Sequence, residues 1–262
     1  MSQTQPDGLE GNAFLFRDPQ LLTKEAHGGK GVARPNRPFQ FCEHVRAVPL
    51  TVSEIASAMK HYPVIFSAED NPLPMAVVGI IDERNLFVDD NGEWDNTVYI
   101  PGYIRRYPFA LAGDNNSDRM AIIVDGAYEG ITTKPDTPFF DGDKPSEAMN
   151  QAMEFCKSYE QETLVTRDFA KRLADVGVIK SQVAQYTPQG GEAAPFAQYF
   201  GIDEQALSDL SDEKFLELRK SNILPILYAQ LMSMGNWRLM MDRRVRRHDI
   251  APEDVLKPLP VS

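Results

Sequence analysis

The sequence is short of the residues that usually mark a built-in reaction centre. Its 262 residues include only two cysteines, Cys42 and Cys156, and four histidines, His27, His44, His61 and His248. No two histidines stand four apart as on a zinc-binding helix, and there is no Cys-x-x-Cys, so the common zinc patterns are excluded. No Gly-x-Ser-x-Gly elbow, phosphate-binding loop or dinucleotide fingerprint occurs, and no cofactor is expected. Positive charge is scarce as well. With 27 Lys and Arg against 38 Asp and Glu, the net charge is −11, which argues against broad nucleic-acid binding because phosphates need a basic face. The longest apolar runs, 75–81 and 223–229, are about seven residues. A membrane-spanning helix needs about 20. The first residues show no basic segment followed by an apolar one, so a cytoplasmic protein with two reduced, buried thiols is expected. Export to the cell surface without a cleaved signal stays compatible with the sequence.

What is present is enough for a core: 42% hydrophobic and 10% aromatic residues in a chain long enough for one large domain. Residues 1–12 are polar and read as a disordered tail, 13–250 as one domain, and 251–262, with three prolines, as a flexible tail. Residues 13–48, with Gly28–Gly31 and two prolines near 35–38, read as an extended arm. Thr51 and Glu54 form a capping box for a helix over 52–60, whose apolar face holds Val52, Ile55, Ala56 and Met59. Short β-rich runs follow at 64–67, 75–81, 85–88, 97–100, 108–112 and 120–125, with a type I′ turn expected at Asn91-Gly92. Connections this short cannot hold crossover helices, so the sheet is expected to be mostly antiparallel. Beyond 145 the periodicity is helical, in two helices closed by Gly177, with a strand over 179–186 and further helices capped by Ser211 and by Ser221 or Asn222. The fold class is α+β: a mainly antiparallel sheet over 62–125 packed against C-terminal helices.

Several stretches together resemble the SapC family of soluble bacterial proteins of about this length. They are Leu21-Leu22-Thr23-Lys24-Glu25-Ala26-His27-Gly28, Val48-Pro49-Leu50-Thr51 with Glu54 and His61-Tyr62-Pro63-Val64-Ile65-Phe66, and Asn85-Leu86-Phe87-Val88-Asp89 with Gly92, Trp94-Asp95 and Tyr99-Ile100-Pro101. Arg105-Arg106-Tyr107-Pro108-Phe109, Phe139-Phe140-Asp141 and Leu227-Tyr228-Ala229-Gln230-Leu231-Met232-Ser233 complete the set, which spans roughly 19 to 240. Gln230 departs from the pattern, since similar proteins often carry His there, and this weakens a catalytic imidazole at that place. The family name is linked to paracrystalline surface layers, so the resemblance implies a cell-envelope or S-layer role. It implies no agreed catalytic activity and no set of catalytic residues. A membrane permease of the same name is excluded by the lack of spanning runs.

Candidate sites stand beside ordinary readings. Trp94, Tyr103, Arg105, Arg106 and Tyr107 concentrate the residue types favoured at binding surfaces, and they are the expected partner-binding residues. Their ordinary role is a structural ion pair anchoring a loop. His27 and His61 are the alternative metal ligands, though a hydrogen-bonded histidine is the simpler reading and no metal is expected. Asp89, Asn91, Glu93 and Asp95 look like a calcium loop with Trp94 where its glycine belongs, so a polar hairpin tip is preferred. Cys42 and His44 could share one face of an extended segment, and Cys156 lies on an apolar helix stripe where a core thiol is expected. Arg238, Arg243, Arg244, Arg246 and Arg247 against Asp242 give a local +4, suited to an acidic partner or to pairing with the acids of 68–95. The function expected is that of a non-enzymatic accessory or interaction protein with a protein partner. An enzyme with a dispersed, metal-dependent site and a small-molecule binding module are the alternatives, and a homo-oligomer is compatible with each.

Overall fold

The computed structural model describes residues 9–10, 14–114, 117–188, 191–251 and 254–259. The chain divides into two compact units: residues 1–42, 90–93 and 103–161, and residues 43–89, 94–102 and 162–262.

In the first unit the strands Phe109–Asp114 and Ser117–Asp125 form a hairpin. Leu9–Glu10 adds to one edge and Pro19–Leu21 to the other, giving a four-stranded antiparallel sheet. Strand side chains alternate between faces, so one face buries Ala110, Ala112 and Ile123 with Phe16. The other supplies Val124, which packs with Phe139 and Met149. The expected arm instead carries short elements. Thr23 caps a helical turn, Lys24–His27, by accepting from the Ala26 amide, and Gly31–Val32 pairs with Ile131–Thr132 and Thr137–Pro138. Of the tail expected at 1–12, only Leu9–Glu10 lies within the described residues.

In the second unit five antiparallel strands run in the order Ile179–Tyr186, Ala194–Ile202, Val64–Phe66, Pro74–Val77, Ala47–Pro49. The single sheet expected over 62–125 is thus two sheets. Strands 64–66 and 74–77 belong to a sheet completed from beyond residue 178, a pairing that local pattern cannot reveal. Phe66, Phe169, Leu173, Ile202, Leu218 and Leu227 form the core beneath this sheet. Runs 85–88 and 97–100 are not strands. Val88 makes one isolated bridge to Trp94, and Asn91 keeps a negative φ, so the turn is not type I′. Gly92 does have φ +71°, and a Cβ there would lie 2.5 Å from Cβ of Arg37.

One continuous helix, Glu147–Val176, replaces the two expected. The residues between the apolar stripes, Glu160-Gln161-Glu162-Thr163, contain no breaker. Gly177 follows at φ +78°, as expected. Ser211 caps Asp212–Lys220, and Pro225 sits in the first turn of Leu224–Ser233. The last helix, Asn236–His248, holds a clamp. Arg244 is fully buried and donates to Asp82 and to the carbonyls of Val255 and Lys257, while the Leu259 amide donates to Asp82. Residues 254–259 are therefore tied down, although the prolines suggest a loose tail from 251.

Candidate functional site

The aromatic–arginine segment begins with the helical turn Gly102–Arg105, and its members fall in different surroundings. Arg106 is buried. Its guanidinium lies 4.2 Å from the Tyr103 ring centroid and 4.8 Å from that of Tyr159, and Nη1 donates to Glu160 at 3.0 Å. A charge out of water needs such a partner, and flat rings on its faces add attraction. Tyr103 is buried and donates to the Phe14 carbonyl, and burial raises its hydroxyl pKa while Arg106 pulls the other way. Arg105 is exposed and lies over the Phe155 ring. Trp94 belongs to the second unit, where it is buried and stacks on Phe87. Tyr107 lines an open recess.

Tyr107 is set by Asp125, which is fully buried at the end of strand Ser117–Asp125. Its carboxylate accepts from the amides of Arg17, Asp18 and Ala127 and from the Tyr107 hydroxyl at 2.7 Å. Burial, and then the Asp125 charge, push the Tyr107 hydroxyl far above its ordinary pKa, so it stays a donor. The ring stacks on Phe41 at 3.8 Å and meets Tyr128 edge-on at 5.3 Å. Tyr107 and Tyr128 line two recesses. One, of about 50 Å³, also has Arg17, Pro35 and Phe41 on its walls. The other, of about 270 Å³, is walled by Phe109, Phe139 and Met149. The tyrosine pair is thus a ridge between two depressions. Tyr128 is half-buried with its hydroxyl in the field of Arg34, and neither that hydroxyl nor the Arg17 guanidinium makes a hydrogen bond or ion pair among the described residues.

Several of the remaining candidates make structural contacts. His27 is buried, with Nε2 3.2 Å from Gln20 Oε1 and Nδ1 3.3 Å from the Thr23 amide, and burial lowers its pKa. Nδ1 also lies 3.2 Å from the Thr23 carbonyl, so both ring nitrogens are engaged by the chain. His61 lies in the other unit, half-exposed beside Tyr62, and burial lowers its pKa too. Among the described residues, no group of three or more His, Cys, Asp or Glu is placed to hold a metal. The acids of the calcium-like segment make ion pairs: Glu93 with Arg34, and Asp95 with Arg243. Hydrogen bonds from Thr97, and then Arg243, hold the Asp95 pKa down at about 2. Within the basic cluster, Arg243 and Arg244 pair with Asp95 and Asp82, as the intramolecular reading expects. Cys42 and Cys156 are both buried and not disulfide-bonded, and burial raises the Cys156 pKa to about 11.

Asp125, Glu160 and Tyr128 are the residues here that sequence reasoning missed. Each is an acid or aromatic within an ordinary strand, helix or loop. Only the strand turn at 125–128 could have signalled the first and last.

Gln230 is a strap. It is buried, donates to the Val64 carbonyl at 3.0 Å and accepts from the Ile202 amide at 3.3 Å.

No curated protein and no solved structure matches the chain. The SapC family model matches residues 22–240, which contain both tyrosines of the ridge and Gln230, and the chain belongs to the SapC family.

Proposed function

We propose that this SapC chain is a non-enzymatic accessory protein that binds a protein partner through the Tyr107–Tyr128 ridge. The ridge is the observation that carries this reading. Tyrosine offers a large rigid surface with a polar tip, and tyrosine and arginine dominate the energetics of interfaces. The two recesses, of about 50 and 270 Å³, fall below the roughly 300–1,000 Å³ of small-molecule sites, and side chains of a partner can anchor there. The nearby hydroxyl and carboxylate are committed to each other, and the Cys156 thiol of the same unit is held protonated, so the surroundings favour recognition over chemistry. The Arg17 guanidinium and Tyr128 hydroxyl offer donors to an acidic or carbonyl-rich partner surface. The family link supports a setting at the cell envelope or its surface layer, with the protein acting from the cytoplasmic side.

The test is affinity capture from source cells with the wild-type chain and an Arg17→Glu/Tyr128→Ala double variant, each checked for unchanged circular dichroism. A protein held by the wild type and lost by the variant is then purified and its binding measured directly. Consistent failure to recover such a protein, or equal binding to both chains, defeats the reading. Fractionation of the same cells tests the envelope setting separately.

A further inference from the structure

The second unit contains a larger recess, of about 510 Å³, which falls within the range of small-ligand sites. It lies where the edge strand Ile179–Tyr186 ends against the helix Asn236–His248, and its walls include Tyr186, Phe196, Trp237, Arg238 and Asp242. Three features mark it as more than a gap in packing.

The first is a β-bulge. Ala184 pairs with Ala197 and Gln185 with Pro195, so Phe196 is the extra residue on its strand. A bulge re-aims a side chain, and here Phe196 meets Trp237 edge-on, with centroids 5.6 Å apart and planes at 78°. Two flat apolar walls stand nearly at right angles. The second is a couple of opposite charges that do not pair with each other. Arg238 and Asp242 are four residues apart on one helix, where side chains are neighbours, in the base-before-acid order that pairs less well than the reverse. They form no ion pair, and neither head group has a partner among the described residues. The third is balance. The recess carries one positive and one negative group in a chain of net charge −11, so a free anion is repelled overall while a ligand of zero net charge is not.

We propose that this recess binds a small zwitterion with a flat apolar body, of which an aromatic α-amino acid is the simplest. Its carboxylate pairs with the Arg238 guanidinium, its ammonium with Asp242, and its ring enters the corner of Phe196 and Trp237. The guanidinium fork matches a carboxylate in two parallel hydrogen bonds, which gives direction as well as attraction. The site is distinct from the tyrosine ridge and stands or falls separately.

The chain has two tryptophans, so Trp94→Phe leaves Trp237 as the sole reporter. L-phenylalanine titrated into this full-length variant is expected to change Trp237 fluorescence saturably at millimolar concentration or below. Arg238→Ala and Asp242→Ala, both changes at the rim, should each weaken binding about ten-fold or more, the usual effect of losing a hydrogen bond to a charged group. Phenylalaninamide, which lacks the carboxylate, and N-acetyl-phenylalanine, which lacks the ammonium, should be weakened similarly. The residual binding of N-acetyl-phenylalanine should be indifferent to Asp242→Ala, and that of phenylalaninamide to Arg238→Ala. No saturable response to L-phenylalanine overturns the proposal. So does binding of either blocked analogue as tight as that of L-phenylalanine, or a response to N-acetylglucosamine as strong as that to the amino acid.

Discussion

Replacing Gln230 with methionine tests how the second unit is held together. The amide of Gln230 satisfies the Val64 carbonyl with its nitrogen and the Ile202 amide with its oxygen, and so ties a helix to two neighbouring strands. Methionine has nearly the same length and flexibility but makes neither bond, so the substitution isolates the polar term. Each buried backbone group left without a partner costs roughly 1–3 kcal/mol. The Ile202 bond is long at 3.3 Å, which places the sum in the lower part of the range, about 2–4 kcal/mol. For a chain of this size that corresponds to a fall in Tm of about 5–15 °C. Gln230→His is the control. A neutral imidazole has one N–H and one lone pair, enough to serve both groups. The control should retain most of the stability at pH 8. Its imidazole is neutral in the fold and charged when unfolded, so its folded pKa is depressed and stability falls as pH drops below the ordinary histidine value. Thermal and urea unfolding at pH 8 and pH 5 read both effects. A Gln230→Met protein melting within about 1 °C of wild type would refute the reasoning, because two buried groups cannot lose their partners at no cost.

Other consequences follow from particular contacts. Arg244→Met leaves Asp82 buried with its charge uncompensated and frees residues 254–259; it should cost about 3–5 kcal/mol and expose the C-terminal segment to limited proteolysis, and an unchanged digestion pattern would contradict the clamp. With its pKa at about 11, Cys156 in the native chain should react with iodoacetamide at pH 8 on the order of a hundredfold more slowly than a free thiol, as read by mass spectrometry, and reaction at the free rate would show the helix stripe to be open. Asp95, at about 2, and Asp82, held low despite burial by Arg244 and the Leu259 amide, have folded pKa values below the unfolded ones. Their stabilisation is complete above about pH 4 and is lost as pH falls toward 2, so Asp95→Asn should flatten urea-unfolding stability over that window, and an unaltered slope would count against it. The helix Glu147–Val176 contributes residues to both compact units, and a single calorimetric transition is expected; two separable transitions would mean two domains.

The fold class and many element positions were legible because they depend on local chemistry. Thr51 and Glu54 do form their capping contact, the Glu54 carboxylate accepting the Thr51 amide at 2.8 Å, and Gly177 and Ser211 end and begin helices where expected. What stayed hidden depends on distant residues. The period-2 pattern marks 64–66 and 109–114 alike as strands, yet one pairs with 194–202 and the other with 117–125. Nothing local distinguishes them. The same holds for the site. An Arg-Arg-Tyr-Pro segment announces an ion pair, but alternation alone does not say that Arg106 turns inward to Glu160 while Arg105 turns out. Asp125 looks like any strand-terminal acid until four donors converge on it.

That convergence bears on the choice between an enzyme and a binding protein. A carboxylate has about four lone-pair sites. Asp125 fills its sites with three backbone amides and a phenol. Glu54 fills its own with the Thr51 amide and hydroxyl, the Tyr99 hydroxyl and the Gly102 amide. A general base must turn a lone pair toward a substrate proton at hydrogen-bond distance. For these two acids that requires breaking a bond that fixes a loop. Among the described residues the buried acids Glu54 and Asp125 are thus loop anchors, whereas Arg17 and Tyr128 in one unit and Arg238 and Asp242 in the other line open recesses. The two buried carboxylates shape the backbone, and the groups at the recesses are the ones the proposed recognition uses.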